Sequence, residues 1–227
     1  RRQGRHSGGG SSGSGASHGH QVAFAPEYDP RGAEFRAPFF HVPFSETMIP
    51  ELGHVALILA LQLALVQGVS GLVGASRTDP GLMALARGAA VGQLLFVLAG
   101  FLALIWSFLV NDFSVMNVAD HSSRHLPGEY RFTAAWGSHE GSFLLWTTLM
   151  AGWTVAVVHF SRRLPTELVT RVIGVMGLLS FCFLAYILFT SNPFMRLHPA
   201  PANGRDLNPL LQDPGMIIHP PLLYMGY

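Results

Sequence analysis

Four long apolar runs, separated by polar segments, dominate the chain after residue 48. The runs cover approximately residues 55–73, 89–110, 140–160 and 172–190, and a fifth begins at residue 222 and continues to residue 227. Each of the four is close to the ~20 residues that a helix needs to cross the hydrocarbon core of a bilayer. The pattern therefore predicts an all-α fold: a polytopic integral membrane protein with four transmembrane helices and the start of a fifth.

Residues 1–47 have a different pattern. Residues 8–19 are a Gly/Ser tract, which buries too little apolar surface to fold, and four prolines between residues 26 and 43 prevent a long helix. One interpretation is a disordered extension, in which His18, His20 and His41 are chance metal ligands. The other is a non-native extension, with the protein itself beginning at Met48. We favour the second, because Met48 leads directly into the first apolar run.

Composition supports a membrane protein and excludes several other classes. The chain is 49% hydrophobic and only 12% charged, whereas soluble domains are about 25% charged. A net charge of +1, with scattered basic residues, argues against nucleic-acid binding. The single cysteine, Cys182, excludes an intrachain disulfide and a Cys-x-x-Cys site. Because Cys182 lies in an apolar run, we expect it to be a small buried hydrophobic residue.

The arginines predict the orientation of the chain in the membrane. The first and third loops are short and hold five arginines: Arg77, Arg87, Arg162, Arg163 and Arg171. The second and fourth loops hold four arginines over about twice the length, and these are balanced by acidic residues. Because short cytoplasmic loops are enriched in Lys and Arg, the first and third loops are predicted to be cytoplasmic. The other two loops then face the periplasm of a Gram-negative cell.

His219 is the candidate ligand with the most distinctive sequence context. It precedes the pair Pro220-Pro221, and proline fixes φ and lacks an amide donor. The pair therefore predicts an extended, rigid support from which the imidazole projects. A rigid neutral imidazole suits a metal or haem iron. The alternative is an ordinary histidine at headgroup depth, where a helix enters the membrane.

Most other polar residues on this side have simpler explanations. Glu140, next to His139, lies where the third apolar run begins, and a helix dipole favours a carboxylate there. Asp206 and Asp213 flank turn-forming Asn, Pro and Gly residues, and such side chains bond to nearby backbone amides. Three further histidines receive no role from their pattern: His54, His121 and His125.

Four stretches of the chain resemble one protein family. They are VNDFSV at residues 110–115, WGSHEGSFLLW at 136–146, FTSNPF at 189–194, and GRDLNPLLQDPG with HPPLLYMGY between 204 and 227. By these motifs residues 48–227 resemble the N-terminal part of the CcmF family, which also includes NrfE and CcsA-like proteins. This is the membrane haem lyase subunit of cytochrome c maturation. The resemblance makes residues 48–227 the N-terminal part of a membrane haem-handling domain.

The resemblance implies a function in the bacterial inner membrane. Such proteins take haem from a periplasmic haem chaperone and help to attach it to the Cys-x-x-Cys-His motif of an apocytochrome c. The implied cofactor is haem b, and the other implied partners are a haem-delivery membrane protein and a thiol-reducing subunit. His219 matches the first of two external histidines and so inherits the role of axial ligand to the haem iron. No catalytic residue is assigned, and six residues are candidates to support the site: Trp136, His139, Glu140, Asp206, Asp213 and Tyr224.

The family also has a tryptophan-rich haem-binding loop, a second external histidine and transmembrane haem ligands, all expected beyond Tyr227. A chain ending there is expected to be a fragment that does not act alone. Two other functions remain open from the residues themselves. The chain could be a transporter or ion-coupled membrane subunit with His139 and Glu140 in a proton path. It could also be a passive assembly fragment that binds partners through the small-residue stripe at residues 56–68.

Overall fold

The computed structural model describes Met48–Gly226, so the two interpretations of residues 1–47 lie outside the described residues. Within that range the chain is helical, with one isolated antiparallel bridge between Val115 and Arg196 and no β-strand. The α-helices are α1 (Ile49–Arg77), α2 (Pro80–Leu109), α3 (Met116–His121), α4 (Gly128–Ala134), α5 (His139–Phe160), α6 (Thr166–Phe189) and α7 (Pro214–Gly226), and a 3-10 turn covers Pro209–Gln212. The predicted all-α class is confirmed.

Four of these helices, α1, α2, α5 and α6, are long and apolar enough to cross a membrane. This confirms the prediction of a multi-pass membrane protein with four transmembrane helices. α1 begins at Ile49, well before the apolar run, because Pro50 and Glu51 suit the first turn of a helix. α1 and α2 have 29 and 30 residues, and are therefore about 45 Å long. Their ends extend past the hydrocarbon core to headgroup depth.

Tight turns join the long helices in antiparallel pairs. Thr78, the residue after the end of α1, adopts a left-handed conformation with φ of 52°. Asp79 then caps α2 by accepting hydrogen bonds from the amides of Gly81 and Leu82, and Pro80 occupies the first helical position. A second short connection, residues 161–165, joins α5 to α6. Both connections lie at one end of the bundle, called the turn end, and the longer segments lie at the opposite loop end.

The small-residue stripe of α1 packs inside the bundle. Ala60 and Ala64 are fully buried, and a Cβ atom on Gly68 would lie 2.6 Å from Cδ2 of Leu178 in α6. A Cβ on Gly71 would lie 2.7 Å from the Cα of Gly174, so the two backbones approach as closely as glycine allows. The stripe is therefore occupied by helices of the same chain. A partner-binding role for residues 56–68 is wrong.

Cys182 faces away from the interior of the bundle. It is exposed on α6, whereas its neighbour Leu184 is fully buried. The Cys182 thiol therefore lies on the outer surface of the helical bundle. The expectation that Cys182 is a buried core residue is wrong, because an apolar run in a membrane helix has lipid-facing as well as buried positions.

Candidate functional site

His219 lies within a helix rather than on an extended support. α7 runs from Pro214 to Gly226 and includes both prolines of the Pro220-Pro221 pair. Asp213 starts this helix: its Oδ1 accepts hydrogen bonds from the amides of Gly215 (2.8 Å) and Met216 (3.3 Å). Pro214 then fits the first turn, where a missing amide costs nothing. The prediction of an extended backbone at the proline pair is therefore wrong.

The side chain of Trp136 compensates for one of the two missing helical hydrogen bonds. In a regular helix the carbonyl of Ile217 would accept from the amide of residue 221, but Pro221 has no amide hydrogen. The indole Nε1 of Trp136 donates to that carbonyl instead, at 3.1 Å. Trp136 lies in the turn between α4 and α5, so this bond fixes α7 to the beginning of α5.

Tyr224 makes a second connection between α7 and α5. Its hydroxyl is 3.0 Å from Oγ of Ser142. Its ring stacks on Trp146 with a centroid separation of 5.6 Å and an interplanar angle of 17°. Ile217 and Tyr224 are seven residues apart and so lie on the same face of α7. That face is bonded to α5 at both ends.

The imidazole of His219 lies on the opposite face of α7. Two residues after Ile217, it is rotated about 200° around the helix axis, and it is exposed. The residues three before, three after and four after His219 share its side of the helix: Met216, Leu222 and Leu223. They are 46%, 62% and 39% exposed. These four residues form the His219 face, an imidazole within an apolar surface.

Two other predicted support residues, His139 and Glu140, lie at the start of α5 and act on that helix rather than on α7. Ser138 caps α5 by accepting from the amide of Gly141 at 3.0 Å. Nδ1 of His139 is 3.0 Å from Oγ of Ser191, which connects α5 to the segment after α6. Glu140 is partly exposed in the first turn of α5, where its charge suits the helix dipole.

Asp206 orders the segment before α7. Its Oδ1 accepts a hydrogen bond from Oγ of Ser123 at 3.2 Å and from the amide of Leu207 at 2.9 Å. Its backbone is left-handed, with φ of 77°, a conformation that Asp tolerates better than most residues. Asp206 and Asp213 therefore act on backbone and hydroxyl groups around α7. The structure does not bring their carboxylates to the His219 face.

Arg196 is a feature of the loop end that its sequence pattern did not indicate. Its guanidinium forms two hydrogen bonds with Glu51, of 2.8 and 2.7 Å, and one of 3.2 Å with Asp112, and it also donates to Ser114. Nearby, the side chains of His54 and Asn192 are 3.3 Å apart. Arg196 therefore joins the start of α1, the segment after α2 and the segment after α6.

The donor set at the His219 face fits a haem better than a metal ion held by protein side chains alone. Within Met48–Gly226, no three His, Cys, Asp or Glu side chains are grouped to hold a metal ion. A haem iron, in contrast, needs only one imidazole from a given side of the ring. The His219 face offers that imidazole and apolar side chains for the macrocycle.

A cavity of about 490 Å³ lies between α5, α6 and the end of α7. Its lining is aromatic and methionine-rich: Trp146, Met150, Trp153, Met176, Leu179, Phe183, Tyr224, Met225 and Gly226. Of the predicted site residues only Tyr224 contributes to this cavity. The His219 face is therefore a surface separate from the cavity.

Comparison with known proteins supports the resemblance found in the motifs. The sequence model of a family described as "Cytochrome C assembly protein" matches residues 136–227. The cytochrome c-type biogenesis proteins CcmF of Pseudomonas aeruginosa and Escherichia coli are 58% and 54% identical to the chain, each over 181 residues. NrfE of Haemophilus influenzae is 42% identical over 183 residues. Each alignment covers 79% of this chain and 28% of the relative.

A solved structure, "Cytochrome c Heme Lyase CcmF", has the same fold. It superposes with a TM-score of 0.67 and 27% sequence identity, over 78% of this chain and 28% of that one. The chain thus spans about 28% of the length of these relatives. The family-model match, the sequence identities and the shared fold agree with one another. Over the residues that these alignments share, the chain is similar to the CcmF family of cytochrome c-type biogenesis proteins.

Proposed function

We propose that residues 48–227 form the N-terminal part of the haem-handling domain of a cytochrome c haem lyase, in which His219 is one axial ligand of a haem b. The observation that carries this proposal is the geometry of α7. One face of the helix is bonded to α5 through Trp136 and Tyr224, while the opposite face presents the exposed His219. The relatives named cytochrome c-type biogenesis proteins supply the biological context.

The chain contributes an imidazole and an apolar surface to this site. His219 would bind the iron, and the exposed side chains of Leu222 and Leu223 would contact the porphyrin. When bound, haem supplies the vinyl groups to which the cysteine thiols of an apocytochrome c add. The residues of this chain would bind and orient that group.

The supporting residues hold α7 in position. Trp136 and Tyr224 fix the helix to α5, and Asp213 determines where it begins. Asp206 orders the segment before the helix, and His139 joins α5 to the segment after α6 through Ser191. Glu140 contributes a negative charge at the start of α5 and is otherwise the least constrained of the six support residues.

We propose that the loop end faces the periplasm and that the membrane is the bacterial inner membrane. Five arginines near the turn end support this orientation. The haem chaperone, the haem-delivery membrane protein, the apocytochrome and the thiol-reducing subunit would then reach α7 from the periplasmic side or from within the membrane.

Thiol labelling tests the orientation. In a Cys182→Ser background, a His125→Cys variant places an exposed thiol at the loop end, and an Arg77→Cys variant places one at the turn end. A membrane-impermeant maleimide, added to cells whose outer membrane has been permeabilised, is expected to label the first variant and not the second. Labelling of the second variant alone would contradict the orientation.

Replacing a relative's N-terminal part tests the function. The segment of the full-length Pseudomonas aeruginosa relative that aligns with this chain is exchanged for the aligned residues of this chain, in a cell lacking its own CcmF. We expect the chimera to restore covalent haem on c-type cytochromes, measured by haem staining after denaturing electrophoresis. A chimera that reaches the membrane at the normal level but yields no stained cytochrome would contradict the proposal.

A further inference from the structure

An open groove at the turn end of α5 combines a basic rim with an apolar wall. The groove has a volume of about 690 Å³. Its lining residues come from the last turns of α5 and the connection that follows: Val155, Ala156, His159, Phe160, Arg162 and Arg163. Two cationic side chains and a large aromatic ring thus share one opening.

The depth of this groove corresponds to the membrane–water interface. α5 has 22 residues and is therefore roughly 33 Å long, close to the thickness of the hydrocarbon core. Arg162 and Arg163 lie two and three residues after its last residue, Phe160, at the depth of the lipid headgroups. Phe160 is 87% exposed, and one side of the groove therefore offers an apolar contact for an acyl chain.

The two arginines have no anionic partner within the described part of the chain. Neither takes part in an ion pair among residues 48–226. Residues 161–171, which are the connection and the start of α6, have three arginines and one glutamate, a net charge of +2. Nδ1 of His159 donates to the carbonyl of Val155 at 3.1 Å, which leaves the arginines as the strong donors that line the groove. Arginine guanidinium groups bind phosphate oxygens well.

We propose that this groove binds an anionic glycerophospholipid of the surrounding bilayer. Arg162 and Arg163 bind the headgroup phosphate, and Phe160, Val155 and Ala156 contact the upper part of an acyl chain. Charge complementarity at headgroup depth, next to apolar membrane-facing side chains, is what favours a lipid over a soluble anion. The bound lipid fixes the short α5–α6 connection at the membrane surface. This inference is independent of haem handling.

Native mass spectrometry of the full chain, purified with equimolar phosphatidylglycerol and phosphatidylethanolamine, tests the proposal. We expect preferential retention of phosphatidylglycerol. The variant R162Q/R163Q is expected to lower that retention roughly thirtyfold, because each arginine beside an anionic lipid contributes about a fivefold factor to binding. R162K/R163K, which keeps both charges, is expected to retain most of the binding.

A matched control removes the same charge elsewhere at the turn end. Arg77 and Arg171 are exposed and do not line the groove, so R77Q/R171Q is expected to keep the preference for phosphatidylglycerol. Equal retention of both lipids by the unmodified chain would overturn the proposal, as would an equal loss in the control variant. Displacement of the lipid by millimolar inorganic phosphate would also overturn it, because the groove would then be a site for a soluble anion.

Discussion

Replacing His219 with alanine in the chimera with the Pseudomonas aeruginosa relative is expected to reduce stained c-type cytochrome to the level of cells without CcmF and to lower the amount of haem that the protein retains. In the proposed site the imidazole is the iron-binding group, and the neighbouring side chains of Leu222 and Leu223 have no atom that can bind iron. Haem is measured by the Soret absorbance of the purified membrane protein at equal protein concentration.

The matched control for this variant is His125→Ala. His125 is also an exposed histidine of the loop end, but it lies outside the His219 face. Its replacement is expected to leave haem and cytochrome at the unmodified level. Normal haem and cytochrome in the His219→Ala protein, or an equal loss in His125→Ala, would show that His219 is not a ligand.

Replacing Trp136 with phenylalanine is expected to loosen α7 from the bundle. The carbonyl of Ile217 is partly buried and loses its donor, and such an acceptor left without a partner costs about 1 kcal/mol. Amide hydrogen exchange within α7 is therefore expected to become roughly fivefold faster. Hydrogen-exchange mass spectrometry of peptides covering α7 measures this change, and the Trp106→Phe variant serves as a control at a half-exposed position of α2.

A second substitution distinguishes this hydrogen bond from general loss of packing. Pro221→Ala restores the amide that would bond to the Ile217 carbonyl within the helix. In the Trp136→Phe background it is expected to recover most of the lost protection, so that the two substitutions are not additive. Additive effects would mean that Trp136 supports α7 through packing alone, and unchanged exchange in Trp136→Phe would contradict its role in docking.

The sequence predicted the elements of the membrane portion well, because each depends on local composition. The length of each apolar run determines whether it can cross the bilayer, and all four predicted spans correspond to helices. The ends of the helices could be predicted less well from the sequence, since charged and proline residues at the start of α1 extend that helix beyond its apolar run. The helical start of α7 depends on Asp213 as a cap.

The arrangement around His219 could not be predicted, because it depends on residues distant in sequence. Trp136 donates to the carbonyl of Ile217, 81 residues away in sequence, and so compensates for the amide hydrogen that Pro221 lacks. Arg196 forms hydrogen bonds with Glu51, 145 residues away in sequence. A local rule for proline predicts an extended backbone, and only the tertiary donor makes the helical alternative acceptable. The motif at residues 136–146 indicates the family, but it does not predict the hydrogen bond that its first residue, Trp136, donates to Ile217.

The central claim is that the His219 imidazole binds haem iron from the face of α7 opposite to α5. Chemical rescue tests it most directly: a His219→Gly variant of the chimera is purified with and without added imidazole, and its haem spectrum is recorded. The expected result is a Soret absorbance per protein below that of the unmodified chimera without imidazole, and its recovery with millimolar imidazole, which occupies the space left by the side chain. A Soret band of normal intensity and position in His219→Gly without imidazole would contradict the claim.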